Sequence, residues 1–468
     1  MAVSRPPRFP YLALLLLALP LAWGCSDASP QSAPNPDAST ATPPAAATEV
    51  PRPTPQPEDL GEGWVEVIRK AWRSIVDYHI AEPEPRPLLE AAWRAVAAEA
   101  RSRGAATGPP PSLDGDADTM WAAFKESYLA VLHGSPAEAW QAYRYAALTG
   151  MTASLNDCHT FFLPPARTEV LTDIRTGRPS GGIGVELAPV RPTYVRETIP
   201  GAPADSAGVL PGDFLVSVDG QDVSNLGIEV IQDLLRGEPG SPISIQVRRP
   251  STGAVHTFPL TRAIVHTPVA QGRVLPDGSG YIRIRSFTSG STLREALDRI
   301  VGEFEAGGVD RWVLDLRDNP GGDSDVGLAG RFIGGEVAER TLLRAGGVEV
   351  RQGEGEPWER RPLAVLVNSG TTSVAEIFAA MLQDHGRARV FGSQTGRCAG
   401  FVSLETFPDG STLGVTIARS LTPVSERPLW QTGVIPDAVV RQTQADVAAA
   451  RDPVLDAALS WLRSQVGR

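Results

Sequence analysis

The stretch "LAVLVNSGTTSVAEIFAAMLQDHG" reads as an apolar strand, a short turn and a helix, with Ser373 at the turn–helix junction. A hydroxyl there sits beside the unpartnered N–H groups of the first helical turn, which can receive a developing oxyanion in acyl transfer. Serine attacks only once a base takes its proton. The same residues also serve a plainer purpose, because Ser373 followed by Glu376 is a capping box. A second segment, "LDLRDNPGG", leaves a strand and turns at Gly321 and Gly322. Glycines let a backbone approach a ligand closely and aim N–H groups at it, although such a turn is also an ordinary loop. In a third, "GGIGVEL", residues Gly182, Ile183, Gly184 and Val185 form a Gly-rich turn entering a strand. That arrangement can cap a peptide's terminal carboxylate while the strand edge accepts the peptide as an added strand.

These segments need a scaffold, and the chain is long enough for two or three domains. Of its 468 residues 42% are hydrophobic, and its formal net charge of −11 argues against a nucleic-acid partner. Lys70 and Lys125 are the only lysines. Arg5 and Arg8 precede the apolar run "YLALLLLALPLAWGC", an export signal too short to span a bilayer comfortably. Its end resembles a bacterial lipobox, with lipid on Cys25; ordinary secretion and an uncleaved anchor are the alternatives. Residues 26–60 are rich in Pro, Ala, Ser and Thr and form a tether. Residues 61–167 read as a helical domain: Trp64, Ile68, Ala71, Trp72, Ile75 and Val76 share one face, and "SPAEAW" opens a later helix with Ser135 as N-cap and Glu138 completing a capping box. Residues 168–263 are short strands between Gly/Pro turns with one amphipathic helix. In residues 264–441 strands and helices alternate as an α/β layer, and residues 442–468 hold a final helix opened by Asp452 and Pro453. Cys158 and Cys398 remain for one disulfide or two buried thiols.

Residues 180–262 resemble a PDZ domain, and residues 64–441 resemble the C-terminal processing peptidases, tail-specific serine proteases. The matching pieces stand in family order: "GMTASLNDCHTFFLPP", the PDZ segment, "GYIRIRSF", "LDLRDNPGG", the Ser373 segment, "PDGSTLGVTIARSLTP" and "GVIPD". The resemblance implies a crotonase-like (ClpP/crotonase) α/β core with an inserted PDZ domain that presents protein or peptide C-terminal tails. It implies Ser373 as nucleophile, an oxyanion hole from Gly321, Gly322 and the Val374 N–H, and neither cofactor nor metal.

One position departs from the family pattern. The family's base is a lysine in a segment that here reads Thr395-Gly396-Arg397-Cys398-Ala399-Gly400, and the lysine position holds Cys398. Arg397 does not deprotonate near neutral pH. Relatives of tricorn protease pair serine with a histidine in a segment similar to "NDCHTFF", which implies His159 as base; an imidazole suits that task near neutral pH. Glu426 is a guess for a third, orienting acid, and Asp384 and His385 are supporting residues. The competing reading is a degenerate lipoprotein that binds tails without cutting them. Cys398 as nucleophile is a weak third. Should the fold bring both motifs to Ser373, a Cys158–Cys398 disulfide would brace His159.

Overall fold

The computed structural model describes residues 57–176, 180–188, 190–288 and 290–465. Cys25, the apolar leader and most of the expected tether lie outside the described residues. The first helix, Pro57–Tyr78, starts four residues inside the stretch read as tether, and no described helix is long and apolar enough to cross a membrane.

Four helices, Pro57–Tyr78, Pro85–Ser102, Ala117–His133 and Trp140–Ala153, pack through their apolar stripes. In the first, Val65, Ile68, Ala71, Trp72 and Ile75 are fully buried, so the buried face runs through Val65 rather than Trp64. The fourth does not open on Ser135. It is preceded by a short 3₁₀ turn, Ala137–Ala139, and Ser135 Oγ accepts the Tyr143 hydroxyl at 3.2 Å instead of capping. The helices' core continues into Phe162, Leu413 and Val415, which belong to strands paired outside the helical part.

The middle domain has the expected strands. Phe214–Val218 pairs with Gln221–Asp222 and Pro242–Arg248, and the latter with Val255–Thr261. The short strand Val185–Leu187 pairs with Val195–Thr198 on one side only among the described residues, leaving the other edge open toward the helix Ile228–Leu235.

Beyond it stands a six-stranded sheet. Strands Gly280–Ile284, Trp312–Asp315, Leu363–Val367, Arg389–Gly392 and Ala438–Val439 run parallel in that order, with Ala270–Val274 antiparallel at one edge. The two central strands are buried throughout, as parallel strands covered on both faces must be. Helices Thr292–Ala306, Val326–Ile333 and Val374–Asp384 contribute to the core on one face, and the final helix Pro453–Arg463 to that on the other. A second sheet is organised by the ten-residue strand Thr412–Leu421, which pairs with Phe161–Leu163, Gly400–Thr406 and Val337–Leu343. It brings the segments that end in His159 and in Cys398 to one place, although they stand 239 residues apart.

Candidate active site

Ser373 occupies the turn between the buried strand Leu363–Val367 and the helix Val374–Asp384. Its φ of 56° and ψ of −129° are unfavourable for a residue with a Cβ. Contacts on the turn hold it there. Thr372 N–H donates to Asn319 O at 3.0 Å, Thr371 Oγ1 to Leu316 O at 2.8 Å, and Glu376 Oε2 accepts the Ser373 N–H at 3.2 Å. The serine turn is thus bonded directly to the "LDLRDNPGG" loop.

His159 is buried, and its Nε2 lies 3.1 Å from Ser373 Oγ. Burial lowers its pKa from the ordinary 6.5, and the charge of Asp157 opposes that shift. Asp157 does not touch the ring. Its Oδ1 accepts the His159 backbone N–H at 2.9 Å, and its Oδ2 lies 2.9 Å from His79 Nε2. His79 Nδ1 accepts the Ala81 N–H, so Nε2 carries the hydrogen donated to Asp157. Burial opposes the charge of Asp157, but hydrogen bonds from His79, Thr416 and the His159 N–H hold its pKa well below the carboxylate range.

Cys158 and Cys398 are joined in a disulfide, so Cys398 is not a free thiol nucleophile. Cys158 Sγ is 3.6 Å and Cys398 Sγ 3.7 Å from His159 Nδ1. The two sulfurs and a ring nitrogen all fall within 4.8 Å, a spacing suited to a soft metal ion, but bonded to each other they are not thiolate ligands. The Cys398 segment is held by Glu376, whose buried carboxylate accepts the N–H groups of Arg397 at 2.8 Å and Cys398 at 2.7 Å and the Thr395 hydroxyl. Burial raises the pKa of Glu376 against these donors. Read from sequence as a helix cap, Glu376 binds the Ser373 turn and the 395–400 segment together. Only its three-residue offset from Ser373 signalled half of that.

The glycine turn lies against the serine. A Cβ added at Gly321, where φ is +92°, would fall 2.6 Å from Ser373 Cβ, and one at Gly322 only 1.8 Å from Phe287 O. The Gly321 N–H, however, donates to Asn319 Oδ1 at 2.9 Å, so it is not available to an oxyanion. Among the described residues no hydrogen bond engages the N–H of Gly322 or of Val374. Of the three N–H groups expected to receive an oxyanion, two are therefore without a hydrogen bond among the described residues.

Other expected residues lie elsewhere. Glu426 is exposed and pairs with Arg340 at 3.3 Å, with no bond to His159. Asp384, at the far end of the serine helix, accepts the N–H groups of Val424 and Ser425. His385 Nε2 contacts Val337 O. Lys70 pairs with Glu405, and Lys125 lies on the helix Ala117–His133. In the middle domain Gly182, Ile183, Gly184 and Val185 line a 190 Å³ groove with Gln232 and Leu235 of the facing helix.

Comparison with known proteins gives the same architecture. Residues 278–440 match Peptidase family S41 and residues 194–249 a PDZ domain. A carboxyl-terminal-processing protease of Picosynechococcus is 35% identical over 305 residues, covering 64% of this chain and 73% of that protein. One from Synechocystis is 31% identical over 335 residues, covering 69% and 77%. The solved photosystem II D1 C-terminal processing protease aligns with a TM-score of 0.53 at 25% identity, covering 81% of this chain and 93% of the other. With a PDZ domain, a helical N-terminal part and an α/β core in one order, the chain belongs to peptidase family S41, among the carboxyl-terminal-processing serine proteases.

Proposed function

We propose that the protein is a serine endopeptidase that cuts near the C-termini of exported proteins, with Ser373 as nucleophile and His159 as its base. The observation that carries this reading is the 3.1 Å contact between His159 Nε2 and Ser373 Oγ, in a chain whose two lysines lie in the helical domain. The PDZ groove holds the substrate's tail by strand addition along Val185–Leu187. Ser373 Oγ attacks the scissile carbonyl while Nε2 takes its proton. The N–H groups of Gly322 and Val374 receive the oxyanion, the imidazolium protonates the leaving amine, and water then releases the acyl group. The leader and Cys25 support an exported protein anchored by lipid, with residues 26–56 as tether.

The test is cleavage of a protein substrate carrying a free, apolar C-terminal tail. Ser373→Ala and His159→Ala should each lower kcat/KM by about 10³-fold or more while tail binding persists. Absence of cleavage by the unaltered protein, with tail binding intact, would instead support a protein that binds tails without cutting them.

A further inference from the structure

In a serine–histidine site the ring nitrogen facing away from serine must carry the hydrogen, so that the other keeps its lone pair for the serine proton. A buried carboxylate ordinarily enforces this by accepting that hydrogen. Here no carboxylate or carbonyl bonds to His159 Nδ1 among the described residues; what faces it is the disulfide, with Cys158 Sγ at 3.6 Å from Nδ1 and Cys398 Sγ beside the ring, 3.7 Å from Nδ1 and 3.9 Å from Nε2. A disulfide sulfur has no hydrogen and can only accept. A thiol can also donate. The oxidised pair therefore offers an acceptor and no donor, which favours the Nδ1–H tautomer, whereas an S–H would donate to Nδ1 and place the ring hydrogen on Nε2, facing Ser373. The disulfide also ties the His159 segment to the segment fixed by Glu376, across 240 residues of sequence.

The bond can be reached from outside. Cys158 is exposed, and both cysteines line a 460 Å³ pocket with Arg397, Arg419 and Trp430. Arg419 lies over Trp430 at 5.4 Å, and neither arginine has an ion pair among the described residues. Two such cations draw an anionic thiolate to the sulfurs.

We propose that the Cys158–Cys398 disulfide is the positioning group for His159, standing where other sites use a carboxylate, and that a dithiol reductant switches the peptidase off by opening it. The inference rests on the Ser373–His159 reading. In the opening step a reductant thiolate attacks Cys158 Sγ, the S–S bond breaks and Cys398 leaves as thiolate. The reductant's second thiolate then attacks its own sulfur of the mixed disulfide and closes a cyclic disulfide, releasing Cys158 as thiolate. Two electrons pass to the protein, and solvent protonates the sulfurs.

The full-length protein is assayed before and after dithiothreitol, then after reoxidation. Reduction should lower kcat at least about tenfold with KM unchanged, and reoxidation should restore it. Cys158→Ala/Cys398→Ala should have low kcat, no response to dithiothreitol and undiminished tail binding. In ¹⁵N spectra of His159 in the unaltered protein, the oxidised form should show the hydrogen on Nδ1, and the reduced form should add a population with it on Nε2. Full kcat in the reduced protein, or one unchanged tautomer in both states, would overturn the proposal. Activity surviving His159→Ala would instead remove the base assignment on which it rests.

Discussion

Ser373 and His159 each depend on a strained or buried arrangement that local sequence does not favour. The positive φ of Ser373 costs on the order of 1–3 kcal/mol, and the contacts from Asn319, Leu316 and Glu376 hold it in place. His159 is desolvated, which favours the neutral ring that can act as base. The acid limb of kcat/KM should therefore have its midpoint below 6.5, checked by a pH–rate profile at low substrate concentration. The same imidazole links pH to stability. Its folded pKa is depressed, so its contribution is complete above the unfolded value and declines as pH falls from there toward the folded value. A midpoint at or above 6.5 would contradict the buried-base geometry. Ser373 was legible from its strand–turn–helix setting. The engagement of the Gly321 N–H by Asn319 was not, because a glycine pair shows that backbone comes close without showing which N–H is already bonded.

The central parallel strand Trp312–Asp315 ends in a charged residue that fixes the segments after it. Asp315 closes the strand fully buried, bonded by Arg317 and by the Tyr281 hydroxyl at 2.7 Å. Arg317 reaches on to Asp452, which caps the final helix by accepting the Leu455 N–H. Burial opposes ionisation of Asp315, but Arg317 and Arg283 hold its pKa well below the carboxylate range. Asp315→Asn leaves Arg317 and Arg283 partly uncompensated and should cost about 3–5 kcal/mol in chemical denaturation. The stability Asp315 supplies is present above its unfolded pKa and lost as pH falls toward the folded one. A variant as stable as the parent would show that Asp452 at Arg317 and Glu186 at Arg283 balance these arginines without it. The cap at Asp452 was readable from Asp-Pro followed by an apolar stripe. The cap expected at Ser135 failed because Tyr143 takes its hydroxyl and Trp140 Nε1 reaches back to Leu132 O and Ser135 O, delaying the helix.

Over the whole molecule, ion pairs join the PDZ domain to the core: Arg285 bonds Glu186 and Glu197, Arg283 bonds Glu186, and Arg196 bonds Asp318 of the "LDLRDNPGG" loop. Beyond the described residues, the proposed anchor makes its own demand. Cys25→Ser should move the protein from the membrane fraction to the soluble one with kcat unchanged, as measured by fractionation and assay; retention at the membrane would exclude lipid on Cys25 as the tie. Sequence by itself determined the order of helical, PDZ and α/β parts and the serine's place at a helix mouth, because apolar period, turn residues and ordered motifs are local. It also located the missing lysine. Only the tertiary structure decided how the parts meet at Ser373: His159, the two sulfurs beside its ring and the Glu376 clamp come together through pairing with the strand Thr412–Leu421 and packing around it. Contacts across more than 200 residues are set by how sheets close, and no local pattern records that closure.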